Sequence, residues 1–367
     1  MKVLYVTTVG LTMTFFGSII RELLDEGHTV DIACNESDSQ VPDCYRDWGC
    51  GIHRIDCVRT PFAAGNARAV GQIRRLVREN GYGIVHCHTP IAAACTRLAC
   101  KDLRKEGVRV FYTAHGFHFY RGAPLKSWLL YYPIEKLCAH FTDTLITINR
   151  EDYALAKRKM KARQVVYVPG VGIDVDKFRN AVVDRPAKRK ELGIPEDAFL
   201  LLSVGELNEN KNHQIVVRTL AELNDPSIHY AIAGNGTLAE YLMALAEQLG
   251  VVDRVHLLGY RRDVAELYKT ADVDVFPSIR EGLGLAAIEG MAAGMPLICS
   301  DNRGTRDYAV NGMNALVCGN VGDYAEAISC LRVDHQLREE LGRAGSQSAE
   351  RFSVGEVNRE MLKVYTK

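Results

Sequence analysis

Short apolar runs alternate with amphipathic stretches along the whole chain, and glycine or polar turns separate them. Runs of this kind read as strands buried on both faces, and the stretches between them as covering helices. In the first half the strands fall at 2–7, at HTVDIAC, and at 84–88, 108–114, 145–148 and 165–169. A loop at 8–17 leads into a helix that runs to about Glu26, where Gly27 stops it. Further helices are expected at 66–80, 92–106, 124–140 (interrupted by Pro133) and 149–161.

The second half repeats the scheme. AFLLLSVGEL is a strand running into a loop, NENKNH precedes a helix from about Gln214, and HYAIAGNG is a strand closed by a glycine turn. Strands at 255–260, 273–277 and 296–300 follow, with helices at 263–269 and 285–295. Beyond Gly312 the chain reads as helical to about Arg351, and FSVGEVNREMLKVYTK as a closing helix. The alternation, present in each half, predicts an α/β protein with parallel sheets, and the polar stretch 178–190 reads as a linker.

At 367 residues the chain has room for two domains of ordinary size. Its net charge is zero but unevenly spread. Residues 1–170 hold 23 Lys and Arg against 16 Asp and Glu, and the remainder 22 against 29. A basic first half suits an anionic acceptor or an acidic membrane surface, and equally a chance imbalance among solvated helix faces. No window carries the roughly 18 apolar residues of a membrane span, so any membrane contact is expected to be peripheral. MKVLYVTT opens a strand at once and leaves no room for a signal peptide. Eleven cysteines without a C-x-x-C pair read as packed, reduced thiols of a cytoplasmic protein. Zero net charge and the lack of a basic–aromatic module argue against nucleic acid. The first βαβ unit lacks G-x-G-x-x-G, so no dinucleotide site is supported there.

Candidate chemistry concentrates between Ile279 and Asp307. A buried-type strand enters a loop containing Gly282 and Gly284, a small-residue helix follows, and a second strand closes the unit. Glycines let backbone approach a ligand closely, and a helix start offers unpaired amides to an anion. Glu281 stands before that start and Glu289 one to two turns inside. A carboxylate does not favour a phosphate, so each suits hydroxyl donors, such as those of a sugar or a ribose. For glycines alone, a packed βαβ crossover explains the pattern as well. Two glutamates seven residues apart in a glycine-rich loop favour the ligand.

With EGLGLAAIEGMAAGMPLICSD around them, Glu281 and Glu289 resemble the E-x7-E signature of retaining glycosyltransferases, specifically glycosyltransferase family 4. The similarity covers nearly the whole chain. It implies the GT-B fold, two Rossmann-like domains with parallel sheets, 1–170 and 171–351, facing across a cleft, with a helix at 352–367 crossing back to the first. It also implies a nucleotide-sugar donor on the second domain, an acceptor on the first, and no metal or other cofactor. By the same resemblance Glu289 holds the ribose, Glu281 the transferred sugar, and Lys211 the donor diphosphate. Gly205, Gly282, Leu283, Gly284 and Leu285 belong to the loops around that diphosphate. Gly234 and Gly236 either approach the nucleotide or only form a turn, and Tyr260 ends the strand whose loop holds the base. Gly10 matches a glycine near the donor diphosphate, although loop geometry explains it nearly as well. His115, opening HGFHFYR, matches the histidine beside the transferred sugar.

There is one departure. Family members usually carry arginine where this chain has Glu206, so one expected cation is missing. Arg280, Arg303 or Arg306 compensates, or backbone amides do. His86 and His88 share a strand face and read as structural more readily than functional. Trp128, Leu129, Tyr131 and Tyr132 either pack the core or shape the acceptor side. TAHGFHFYRGAP and SVGELNENKNH are similar to bacterial capsule and exopolysaccharide glycosyltransferases, which implies a polyprenyl-diphosphate-linked acceptor at the membrane. The alternatives are a GT-B epimerase of a UDP-sugar and a non-catalytic nucleotide-sugar-binding subunit.

Overall fold

A computed structural model describes residues 1–366 and divides the chain into two compact units. The first is Met1–Gly172 joined by the segment from Val354 onward, and the second is Ile173–Ser353. Each is α/β, built on one parallel sheet.

In the first unit the strands are β1 (Lys2–Val9), β2 (Thr29–Asn35), β3 (Ile52–Arg54), β4 (Ile84–His88), β5 (Arg109–Ala114), β6 (Thr144–Thr147) and β7 (Gln164–Tyr167). They lie in the order β3-β2-β1-β4-β5-β6-β7. β4 is buried at every position and β1 at all but its first, because helices cover both faces. Unbroken apolar runs are the sequence form of that burial. The helix Ala64–Asn80 turns Ala69, Ile73 and Val77 inward at four-residue spacing, which leaves Arg68, Arg74, Arg75 and Arg78 on its wetter side. The helix Arg150–Lys159 is capped by Asn149, whose side chain accepts the Asp152 amide at 2.7 Å. Its acids stand in the first turn and its lysines in the last, as the helix dipole favours.

The helix Val354–Thr366 completes this unit. It buries Val357, Met361 and Val364 against the core beneath β1, and sets the Tyr365 hydroxyl 2.5 Å from both Tyr5 Oη and His86 Nδ1.

The second unit has β8 (Phe199–Val204), β9 (Ile228–Ala233), β10 (Val255–Gly259), β11 (Val273–Phe276), β12 (Leu297–Ser300) and β13 (Leu316–Cys318), in the order β10-β9-β8-β11-β12-β13. In each sheet the strand order reverses once, between β1 and β4 and between β8 and β11. Loops leaving the carboxyl ends of two such neighbours part in opposite directions and open a crevice, the usual ligand position in parallel α/β sheets.

Three expectations need correction. The stretch after Gly312 is not helical throughout: β13 forms first, and the helices Val321–Val333 and His335–Ala349 follow. A three-residue edge strand is too short to leave a periodic signal. Pro133 does not interrupt its helix, which runs unbroken from Leu125 to Ala139. Trp128 and Tyr132 pack on Phe119 at 5.5 and 5.3 Å between ring centroids and pin the turn that leads into the proline. The 8–17 segment is not open loop, since β1 extends to Val9 and a 3-10 turn occupies Gly10–Phe15.

Candidate active site

Lys211 comes from the loop that leaves β8, and Glu281 from the loop that leaves β11. Both stand at the switch point of the second sheet. The Lys211 ammonium donates to Glu281 Oε1 at 2.7 Å, with both side chains mostly shielded from solvent. The loops are stitched together. The Ile279 amide donates to Asn210 O at 2.8 Å, and Asn210 Nδ2 donates to Arg280 O at 2.9 Å. Asn208 Oδ1 accepts the Lys211 amide at 3.0 Å, fixing the turn that aims the lysine. The ammonium also lies 5.1 Å over the Phe276 ring, a cation–π contact that further fixes its place. From the far side, buried Arg303 donates Nε to Glu281 O at 3.0 Å.

Glu289 lies just over one turn into the helix Leu285–Ala292 and is half-buried. Among the described residues its carboxylate has no hydrogen-bond partner. Burial raises its pKa above the ordinary carboxyl range, and Lys177 pulls weakly the other way. Asp274, on β11, is 1% exposed, and its Oδ2 is unpartnered. Burial, with the Glu289 charge adding to it, pushes the Asp274 carboxyl well above the usual carboxylate range. Gly290 packs directly on it, where a Cβ would lie 2.1 Å from Oδ2.

Gly284 precedes the helix with φ +90°, and a Cβ there would lie 2.9 Å from the Phe276 ring and 3.0 Å from the Tyr308 hydroxyl. Only glycine fits on both counts. No side chain caps this helix, so its first amides stay open. Leu283 is buried, and Gly282 and Leu285 are half-buried beside it. Gly205 lies under the Lys211 side chain, and a Cβ at Gly234 would sit 1.9 Å from Gly205 O. These glycines serve the close packing of the two loops. Tyr260 stands apart at the end of β10, on the sheet edge, and is 72% exposed.

Glu206 is exposed and has no ion-pair partner among the described residues. Of the three candidate arginines, Arg303 is tied to Glu281 O, and Arg306 is held by Asp301 at 2.6 Å. The Arg280 guanidinium is exposed and has no partner among the described residues.

Gly10 and His115 belong to the first unit. A Cβ at Gly10 would meet the Ser39 and Gln40 backbone at 2.5 Å, so chain packing accounts for this glycine. His115, two residues beyond the end of the β4–β5 pairing, puts Nε2 3.1 Å from His88 Nδ1. Burial lowers the His115 pKa to about 4 and keeps it neutral. His88 is fully enclosed and its pKa is well below the ordinary value, from burial first and then from His86 and His115. His86 bonds Tyr365 and Thr113 and has its pKa pushed down to about 3 by burial.

Comparison with known proteins decides what these loops belong to. Residues 13–170 match the family described as glycosyl transferase 4-like domain, and residues 184–348 the family described as glycosyl transferases group 1. EpsD of Bacillus subtilis (strain 168), which carries a glycosyltransferase name, is 40% identical over 314 residues, 84% of this chain and 82% of that one. The chain belongs to the glycosyltransferases. An Escherichia coli relative, named UDP-Gal:alpha-D-GlcNAc-diphosphoundecaprenol alpha-1,3-galactosyltransferase, is 30% identical over 81% of this chain and 76% of its own. The crystal structure of Anabaena Alr3699/HepE in complex with UDP and glucose matches with a TM-score of 0.83 over 100% of both chains, at 17% identity. That likeness speaks for the fold, which is GT-B.

In this glycosyltransferase the residues brought together are Lys211, Glu281, Gly205, Gly234 and the run Gly282–Leu285, with Glu289 one turn further. Sequence reading missed Asn210, Phe276 and Asp274, which hold the pair and the helix in place. It also missed that His88 supports His115. The signal was present, because His88 and His115 end or follow strands that the alternation makes neighbours.

Proposed function

We propose that this glycosyltransferase moves a hexose or N-acetylhexosamine from a nucleotide sugar, with UDP the favoured nucleotide, to a lipid-linked or glycan acceptor. Configuration at the anomeric carbon is retained, and the product enters bacterial surface polysaccharide synthesis. The carrying observation is the Lys211–Glu281 pair at the β8–β11 switch point, with the unpartnered Glu289 carboxylate beside it. One cation, two carboxylates and the open amides after Gly284 match the parts of a nucleotide sugar: phosphate, sugar hydroxyls and ribose.

In this reading Glu289 accepts hydrogen bonds from the ribose, and Glu281 from hydroxyls of the transferred sugar. The acceptor hydroxyl attacks the anomeric carbon from the face the diphosphate leaves. The carbon–oxygen bond to the diphosphate breaks, the glycosidic bond forms, and the acceptor proton passes to the leaving phosphate oxygen. Lys211 stabilises the charge growing on that oxygen, Arg280 supplies the cation missing at Glu206, and the amides at Leu285 add to both.

No helix among the described residues is long and apolar enough to cross a membrane. The helix Leu125–Ala139 instead exposes Leu125, Leu129 and Leu137 at four- and eight-residue spacing, flanked by Lys126 and Lys136. Such a stripe suits peripheral contact with the inner face of the cytoplasmic membrane.

The test is a panel of nucleotide sugars offered to purified protein with a detergent-solubilised, diphosphate-linked sugar acceptor. The readouts are nucleotide release and the anomeric configuration of the product, with Glu281→Gln as control. Transfer by the wild type alone supports the reading. Release of a free epimer without acceptor points to an epimerase instead, and nucleotide binding with no donor consumed points to a binding subunit.

A further inference from the structure

A cavity of about 230 Å³ opens in the first unit at the β1–β4 switch point. Its polar walls are Thr8 near the end of β1, Thr12 after it, Thr89 after β4, Arg59, and His118 stacked on Tyr131 at 4.4 Å. Among the described residues no acidic side chain lines it. The Arg59 guanidinium has no hydrogen-bond or ion-pair partner among the described residues. Thr8 and Thr89 are spent on each other at 2.7 Å, whereas the Thr12 hydroxyl has no hydrogen-bond partner among the described residues. Ile91 in the wall belongs to the first turn of the helix Pro90–Cys100, which no side chain caps. An unpaired guanidinium facing donors and no carboxylate is complementary to an anion.

Size and rim narrow the class. The volume equals roughly seven water molecules, enough for a diphosphate but not for a diphosphate with its sugar enclosed. Beside the mouth two large apolar side chains stand in solvent: Phe62, 84% exposed, follows Pro61 in the wall, and Leu11, 58% exposed, precedes Thr12. An anion seat bordered by apolar side chains fits an amphiphile with a phosphorylated head.

We propose that this cavity seats the diphosphate of a prenyl-linked acceptor, with Arg59 as its principal ligand and the prenyl chain leaving over Phe62 and Leu11. The proposal rests on the lipid-linked acceptor named above and gives it a place. Thr12 and the first turn at Ile91 complete the grip, and Arg59 is an acceptor-specificity residue with no role toward the donor.

Binding tests it independently of turnover. Farnesyl diphosphate and inorganic diphosphate are titrated into full-length protein held in saturating UDP, using wild type, Arg59→Ala and Phe62→Ser. Farnesyl diphosphate is expected to bind wild type, to lose tenfold or more in affinity in Arg59→Ala, and several-fold in Phe62→Ser. Inorganic diphosphate should bind more weakly, depend on Arg59, and ignore Phe62. Equal binding by wild type and Arg59→Ala, or no binding under UDP, overturns the proposal. In turnover, Arg59→Ala should raise KM tenfold or more for a diphosphate-linked sugar and leave donor KM and kcat unchanged. A matching alkyl glycoside without phosphate should not distinguish the two proteins. Arg59-dependent binding with no transfer to any acceptor would sink the glycosyl-transfer reading alone, and transfer insensitive to Arg59 would sink the cavity alone.

Discussion

Lys211 and Glu281, 70 residues apart in the chain, meet at 2.7 Å where the β8 and β11 loops part. The pair is worth little to the fold. A partly exposed ion pair contributes about 1 kcal/mol or less, and the loops are already joined through Asn210. Its value is to hold a cation and an acceptor oxygen in one fixed relation. Lys211→Ala and Glu281→Gln should each lower kcat by about 10²-fold or more while Tm moves by only a few degrees. The double variant should lose little beyond either single one, since the two act as a unit. Steady-state rates and thermal melts on all four proteins check this, and multiplicative losses would contradict it.

Gly205 gives a milder perturbation of the same relation. A methyl at 205 would lie 3.3 Å from Cδ and Cε of Lys211, close enough to displace a flexible chain and not a backbone. Gly205→Ala should therefore fold with near-native Tm and show kcat lowered several-fold, with acceptor KM unchanged. A large drop in Tm with normal kcat would mean that Gly205 serves the fold and not the lysine.

Glu289 carries a pH dependence. Its pKa is raised by burial, so it takes up a proton at higher pH than an ordinary glutamate and then has fewer acceptor lone pairs for a ribose. Donor KM should rise as pH falls through that raised pKa. In Glu289→Gln the KM should be high throughout, with that limb absent. The measurement is donor KM against pH at saturating acceptor.

The histidines bear on stability. His86 resists protonation down to about pH 3, and His115, His213 and His256 to about pH 4, all chiefly because they are desolvated. The unfolded chain protonates each near pH 6.5, so below that it binds protons the folded chain refuses. Stability is full above about pH 6.5 and drains as pH falls toward 4 and 3. For His86 alone the loss is about 2 kcal/mol by pH 5. Urea midpoints at pH 7.5 and pH 5.0 should show the decline, and a flat profile would refute it.

The two-unit α/β architecture was legible because central strands such as β1 and β4 are buried on both faces and so read as unbroken apolar runs. β3 and β13, three residues each at sheet edges, carry no such run and were not seen. The glutamates and Lys211 could be named from their loops, yet nothing local to either loop says that they touch. That contact follows from β8 and β11 being neighbours, a property of strand order. Gly10 and Gly234 show the converse, since a glycine in a binding loop looks the same in sequence whether it clears a ligand or another loop of its own chain. Asp274 was passed over as a strand residue, and only the packing of Gly290 on its carboxyl shows it as a buried acid beneath Glu289.

Tyr365 has a consequence for the order in which the protein is made. Its hydroxyl closes a string that runs from Tyr5 through His86 to Thr113, inside a unit whose strands are all encoded before residue 173. On the ribosome those strands emerge early but wait, with the Tyr5 ring and the His86 imidazole uncovered by Tyr365, while the 181 residues of Ile173–Ser353 are translated. The half of the molecule that is synthesised first is thus the half that finishes last.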